Sequence, residues 1–383
     1  MQAVSLFSPE VLADPYPVYA RLRVEAPVYL EPDTGSYVLT RFEDVYGVLK
    51  DHETFSSAKG IAPGMQVAPI PMMVMTDPPR HTRLRALVNK AFTPRVLAQL
   101  EPWLVEVVDS LLDEMPTEDV DIVGALTVPL PVTAIARLLG IPESDRERFK
   151  RWSDAVVGVT DSGIREDAQL QVAEMMQYFA AAIAERKEAP LQDVLSTIAH
   201  AEIDGERLND LEILGFCLLL LVAGNETTTN LLSNLLNVLA DRPDLWTRLR
   251  EERSLVPGAI EEALRYDSPV QGLWRTTTRP VQMHGVEIPE GAKVMAAYAA
   301  ANRDPAEFED PDEFKLGRDL ELHVAFGYGI HYCLGAPLAR LEAKVAMDGL
   351  LERYATLSRG ASGGKRLPTA VLRGFRELHL DLG

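Results

Sequence analysis

Ten residues near the C-terminus, Phe326-Gly327-Tyr328-Gly329-Ile330-His331-Tyr332-Cys333-Leu334-Gly335, constrain this chain more than any other stretch. They read F-G-x-G-x-H-x-C-x-G, a glycine-punctuated loop that leads one cysteine into a helical pattern. Glycine at such positions serves backbone geometry or close approach to another body. The only other cysteine is Cys217, so Cys333 has no nearby thiol for a zinc cluster or a redox pair. A lone thiol at a helix N-terminus is fed by backbone N–H groups and biased toward thiolate. Two readings stand at this point: a small buried hydrophobe in a glycine turn, or a thiolate held on a rigid loop as a ligand.

The 383 residues are 47% hydrophobic, enough for a large core. No low-complexity linker, charge block or repeat marks a boundary, so one domain over 1–383 is expected. Two cysteines exclude a disulfide framework and fit a reducing cytoplasm. Met1 to Glu10 shows no basic segment followed by an apolar one, so no signal peptide is expected. The longest apolar run, Ile213 to Gly224, has twelve residues against the roughly 20 needed to span a bilayer. It reads as a buried helix, with no membrane anchor. A net charge of −19 disfavours nucleic acid and anionic membranes as partners.

Apolar periodicity predicts helices over Arg80–Ala91, Val96–Met115, Pro131–Leu139, Ser144–Val156 and Glu166–Lys187. A long helix to Ala240 is expected from a cap at Asn209 or Asp210, followed by Pro243–Arg253 and Pro257–Tyr266. A further helix runs from Cys333 to about Tyr354. Short strands are expected at Val28–Leu30, Tyr37–Leu39, Val281–Met283, Glu287–Ile288 and Lys293–Ala297. A last pair is expected at Thr369–Leu372 and Leu378–Leu382. The fold class is mainly α with small β-sheets.

Three more constellations stand out. Ala223-Gly224-Asn225-Glu226-Thr227-Thr228 puts a glycine and an acid at the end of a strongly apolar helix. Glycine there costs about 1 kcal/mol relative to alanine, so it marks close helix packing or some other need for space. Glu262 and Arg265 share a helix face at i, i+3, a pattern also common in solvated ion pairs. His81 and Arg85 lie at i, i+4 and read alone as a basic solvated face.

In this order and spacing, the motifs resemble the cytochrome P-450 superfamily, from Asp14-Pro15-Tyr16-Pro17 to Arg373-Gly374. The resemblance implies the cytochrome P-450 fold, with heme b (iron protoporphyrin IX) between the long central helix and the cysteine loop and helix. It makes Cys333 the axial iron ligand, with Phe326, Gly327 and Gly335 shaping the loop around the sulfur. His81, Arg85, Arg275 and His331 fall on the positions that hold the haem carboxylates, which need such partners when buried. Ala223 and Gly224 fall where small residues leave room for dioxygen. Glu226 and Thr227 fall on the acid–threonine pair that relays protons, the threonine hydroxyl back-bonding to a carbonyl of its own helix. Glu262, Arg265 and Arg318 match a structural network.

The implied function is a haem-thiolate monooxygenase that inserts one atom of O2 into a substrate and reduces the other to water. The short chain resembles the soluble bacterial branch, cytoplasmic and monomeric, with electrons from NAD(P)H through a separate ferredoxin and ferredoxin reductase. A peroxide-driven peroxygenase lacks the acid–threonine pair present here, and a non-catalytic haem-thiolate sensor needs no proton relay. Between Glu53 and Asp77 the only charge is Lys59, and Met65, Met72, Met73 and Met75 crowd the loop. These suit an apolar small-molecule pocket, or they fill core. The loop from Gly60 to Pro79 and the break at Asp161–Gly163 are expected to form a lid. Arg80, Arg83, Arg340 and Lys344 are expected to form a basic dock for an acidic ferredoxin.

Overall fold

The computed structural model describes residues 4–63, 65, 70–145, 147–152, 155, 166–320 and 322–383. Its axis is one helix, Asp210–Ala240, longer than the apolar run within it. A capping box sets its start. Asn209 Oδ1 accepts from the Glu212 N–H at 3.0 Å, and the Glu212 carboxylate accepts from the Asn209 N–H at 3.1 Å. The helix is apolar on nearly every face, and Ile213, Cys217, Leu221, Leu232, Leu235, Leu236 and Leu239 are wholly buried. An all-round apolar helix belongs in a core or a membrane. Length and composition alone would let it cross a bilayer, but 56% of its most apolar window is buried inside the protein. It is the core helix around which the others assemble.

Pro129–Leu138, Glu166–Glu188, Val256–Tyr266 and Ala336–Arg353 pack against it, and Ala336–Arg353 also packs on Pro94–Glu114. A five-stranded sheet has the order Val28–Leu30, Tyr37–Leu39, Lys293–Ala296, Leu273–Thr277, Phe55–Ser56. One pair in it is parallel, with Met295 opposite Val38. A three-stranded sheet joins Leu357–Arg366, Phe375–Leu382 and Val120–Asp121.

The expected helices from Arg80 onward recur within a few residues, apart from Ser144–Val156, which lies partly outside the described residues. The break at Asp161–Gly163 lies wholly outside them. Tyr16–Glu25 and Phe42–Lys50 are further helices that the sequence reading did not include. Thr369–Leu372 is not a strand. Leu372 makes only an isolated bridge to Val270, and Phe375–Leu382 pairs instead with Leu357–Arg366. That partner reads Leu-Ser-Arg-Gly-Ala-Ser-Gly-Gly-Lys-Arg, without alternation. Cross-strand pairing, with a register shift between Arg359 and Gly364, makes it a strand.

Candidate haem site

The cysteine loop is built from left-handed glycines and suspended from a buried ion network. Gly327 and Gly329 both have φ of +69°, and a Cβ on Gly329 would lie 2.6 Å from the Leu49 carbonyl oxygen. Glycine is therefore required there on two counts. Gly335 has φ of −83°, open to any residue, so backbone conformation does not account for it. The Cys333 N–H donates to the Phe326 carbonyl at 3.0 Å, and the Gly327 N–H to the Val324 carbonyl at 2.9 Å. The Val324 N–H donates to Asn302 Oδ1 at 2.8 Å.

Asn302 ties this loop to Arg265, which donates to the Asn302 carbonyl at 3.0 Å. Arg265 also grips Glu262 in two parallel bonds of 2.7 and 2.8 Å, and Arg318 reaches the same carboxylate at 3.1 Å. Glu262 and Arg265 are wholly buried. The three residues picked from sequence thus meet in one network. A second one, absent from the sequence reading, lies beside it. Arg340 binds Glu261 through bonds of 2.6 and 2.8 Å, and its guanidinium lies 4.6 Å from the centre of the Phe326 ring. His323 reaches Glu261 at 3.0 Å. Burial opposes the Glu261 charge, but Arg340 and His323 outweigh it and hold the carboxyl down to about 2.

Cys333 is half-buried just ahead of the helix Ala336–Arg353. Burial pushes its thiol up, against the thiolate expected from sequence. The N–H groups of Gly335 and Ala336, with Arg85 and Arg340, pull the other way and are outweighed. A metal cation at the sulfur is what would tip that balance. Cys217 is deeply buried and its thiol is pushed up to about 12, so it is no competitor.

His81, Arg85, Arg275 and His331 converge. The rings of His81 and His331 lie 4.4 Å apart, and Nε2 of each is buried with no hydrogen-bond partner among the described residues. Burial drives His331 down to about 2, assisted by Arg275, His81, Arg85 and His52. Arg275 is 3% exposed and donates to the Trp274 carbonyl at 2.9 Å and to the Tyr298 hydroxyl. Neither Arg85 nor Arg275 has a carboxylate partner among the described residues. A buried Arg275 and a half-buried Arg85 without carboxylate partners, beside two orphaned imidazole nitrogens, are costly by themselves. They fit a ligand bearing two carboxylates, as heme b does. His52 belongs to this surround and was missed from sequence, where a lone histidine in a turn carries no signal.

On the long helix, the Thr227 hydroxyl donates to the Ala223 carbonyl at 2.7 Å, as the back-bonding expectation required. Ala223 is exposed although the helix is mostly buried, and Glu226 is half-buried. Gly224 lies at a close helix contact. A Cβ there would lie 2.4 Å from Ile135 Cδ1 on the helix Pro129–Leu138, so any larger residue would require Ile135 to shift. Met73 and Met75 are buried, Met73 within the main hydrophobic core, and Met65 is exposed. The expected dock is also changed. Arg80 and Arg83 both bind Glu212, Arg340 binds Glu261, and Lys344 binds Asp348 at 2.9 Å.

Comparison with known proteins agrees with this geometry. The profile of the family "Cytochrome P450" matches residues 121–369. Cytochrome P450 109 of Bacillus spizizenii is 40% identical over 378 residues, covering 95% of this chain and 91% of the relative. The structure of cytochrome P450 CYP109Q5 from Chondromyces apiculatus superposes with a TM-score of 0.93 at 38% identity, covering 99% of this chain and 98% of the other. CYP109E1 from Bacillus megaterium, solved with testosterone, gives 0.88 at 38% identity over 96% of this chain and 99% of the other. A thiol loop, an orphaned cationic cluster and a back-bonded threonine on one fold therefore have a single family in common: this chain belongs to the cytochrome P450 family, oxidoreductases that carry heme b and act as monooxygenases.

Proposed function

We propose that the protein oxygenates a neutral, apolar small molecule, with Cys333 as the thiolate ligand of the haem iron and electrons delivered by a ferredoxin and its reductase in the cytoplasm. The observation that carries the site assignment is the cluster of His81, Arg85, Arg275 and His331, cationic or orphaned side chains with no acid among them. Bound haem supplies the activation of O2, which no side chain can supply. The chain does the rest. The two histidines and two arginines would hold the haem carboxylates. Arg340 lies over Phe326 at the cysteine loop and opposes proton binding at Cys333. Thr227, back-bonded to Ala223, places a hydroxyl on the oxygen side, and Glu226 one residue before it moves protons inward. Glu262, Arg265 and Arg318 keep the loop in place. The testosterone complex of the Bacillus megaterium relative makes a steroid-sized apolar molecule the first probe. Each of the four cations of the expected dock has an acidic partner, and the side chains of Arg80 and Lys344 remain 49% and 44% exposed.

The test is the reduced, carbon-monoxide-treated protein. The parent should show the red-shifted Soret band of a thiolate-bound haem, and Cys333→His and Cys333→Ala should lose it. Retention of the band in either variant removes the assignment. Thr227→Ala should bind haem normally, yet divert reducing equivalents to hydrogen peroxide and lose roughly 10²-fold in productive rate. Full coupling in that variant contradicts the proton-delivery role.

A further inference from the structure

A large cleft lies apart from the haem site. Its volume is about 1160 Å³, and it opens between the start of the helix Tyr16–Glu25, the end of the central helix, residues 312–316 and the side chains of Arg366 and Arg373. None of the residues assigned to the haem lines it. Small-molecule sites commonly run up to roughly 1,000 Å³, so there is room for one here. The chain carries a net charge of −19, yet six basic side chains line this cleft against five acidic ones.

The buried part of the lining is more one-sided than that count. Its one acid is Asp267, 4% exposed, which accepts from the Tyr16 hydroxyl at 2.8 Å. Arg373 meets the same carboxylate at 2.7 Å and Arg366 at 3.0 Å, so two guanidiniums share one negative charge. Burial, with Arg373 alongside, works against the Arg366 charge, and Asp267 does not fully offset it. Arg303 is sandwiched between Tyr16 and Tyr266, 3.9 and 3.7 Å from their ring centres. It donates Nε to the Tyr266 carbonyl at 2.8 Å and Nη1 to Asp312 at 2.9 Å, and its Nη2 has no partner among the described residues. The other acids are exposed. Asp241 is gripped by Arg359 in bonds of 2.8 and 2.6 Å, while Asp14, Asp312 and Glu313 sit at the rim. Arg248, also exposed, lines the cleft with no acidic partner among the described residues.

We propose that this cleft is a second small-molecule site, taking a ligand that bears a carboxylate or phosphate group, with Arg248, Arg303 and Arg366 as its anchors. A guanidinium presents paired N–H groups that match either anion. Two of the anchors are held in place beforehand, Arg303 by its two rings and Arg366 by Asp267 and by Asn234 Oδ1 at 2.8 Å. Little side-chain ordering is then left to pay on binding. A cationic ligand would meet the same guanidiniums as repulsion. A neutral apolar one would strip water from charged groups and return no hydrogen bond.

The test is calorimetric titration of the haem-loaded protein with inorganic phosphate and, separately, with citrate, at an ionic strength fixed by sodium chloride. At least one probe should bind at one site per chain while the Soret band stays in place, and the tighter of the two identifies the anionic group. Arg248→Glu alters an exposed side chain, so it should fold like the parent and weaken binding about tenfold or more, the worth of one charge-assisted hydrogen bond. Arg366→Gln should weaken it similarly. Arg95→Glu makes the same charge change on an exposed residue of the helix Pro94–Glu114, outside the cleft, and should bind like the parent. No binding of either probe beyond that of chloride overturns the site. Equal weakening in Arg248→Glu and Arg95→Glu also overturns it, since net charge alone would then account for the effect. A Soret shift that follows the titration would place the anion at the haem and overturn it as well.

Discussion

Glu262→Gln keeps the shape of one side chain and removes one charge from the network that suspends the cysteine loop. Glu262 and Arg265 are wholly buried, and the carboxylate accepts from Arg265 at 2.7 and 2.8 Å, from Arg318 at 3.1 Å and from the Lys315 N–H at 2.9 Å. Removing one partner of such a pair costs about 3–5 kcal/mol, because the other charge stays buried. The carbonyls of Asn302, Pro311 and Glu313 still accept from Arg265 at 3.0, 2.8 and 3.1 Å, which puts the loss at the lower end, about 3 kcal/mol. With an unfolding entropy of about 2.1 cal/mol/K per residue, 383 residues should melt about 4 °C lower. The assay is thermal unfolding of the haem-loaded protein, followed by far-ultraviolet circular dichroism and by the Soret band. Asn302 links the network to Val324, and hence to the turn that bonds Cys333, so the Soret signal should be lost at least as early as the helix signal. Glu377→Gln is the control. Its pair with Lys365, at 2.7 Å, is exposed to solvent, which screens it, so its loss should leave stability nearly unchanged. A Glu262→Gln protein that melts like this control refutes the suspension argument.

Two further outcomes are expected. Glu261 is held down to about 2 by Arg340 and His323, so its contribution is present above its ordinary value and is lost as pH falls toward about 2. Arg340→Gln should be less stable than the parent near neutrality by about 1–3 kcal/mol, and urea titrations should show the gap closing in acid; a gap independent of pH contradicts the pairing. Gly224→Ala should be destabilising by about 1 kcal/mol or more, because the added methyl meets Ile135 Cδ1. In an Ile135→Val background that atom is gone, and the same change should become neutral or stabilising by up to about 1 kcal/mol from helix propensity; equal effects in both backgrounds would rule out the contact.

The sequence by itself determined the elements whose signals are local. The Asn209 and Glu212 capping box, the apolar stretch from Ile213 and the breaker Asp241-Arg242-Pro243 specify the central helix, since caps and periodicity act within a few residues. The glycine-cysteine loop and the pairing of Glu262 with Arg265 were legible for the same reason. Only the tertiary structure decided what depends on neighbours distant in sequence. It made a strand of Leu357–Arg366, which has no alternation, by pairing it with Phe375–Leu382. A close helix crossing sets Gly224 against Ile135, a neighbour about ninety residues earlier. Arg80 and Arg83 look free in sequence, yet both bind Glu212, more than a hundred residues later. The push of Cys333 and Glu342 toward weaker acidity is likewise tertiary. A thiol or an acid keeps its ordinary value until packing removes its water, and burial here outweighs the local N–H groups and the single hydroxyl that oppose it.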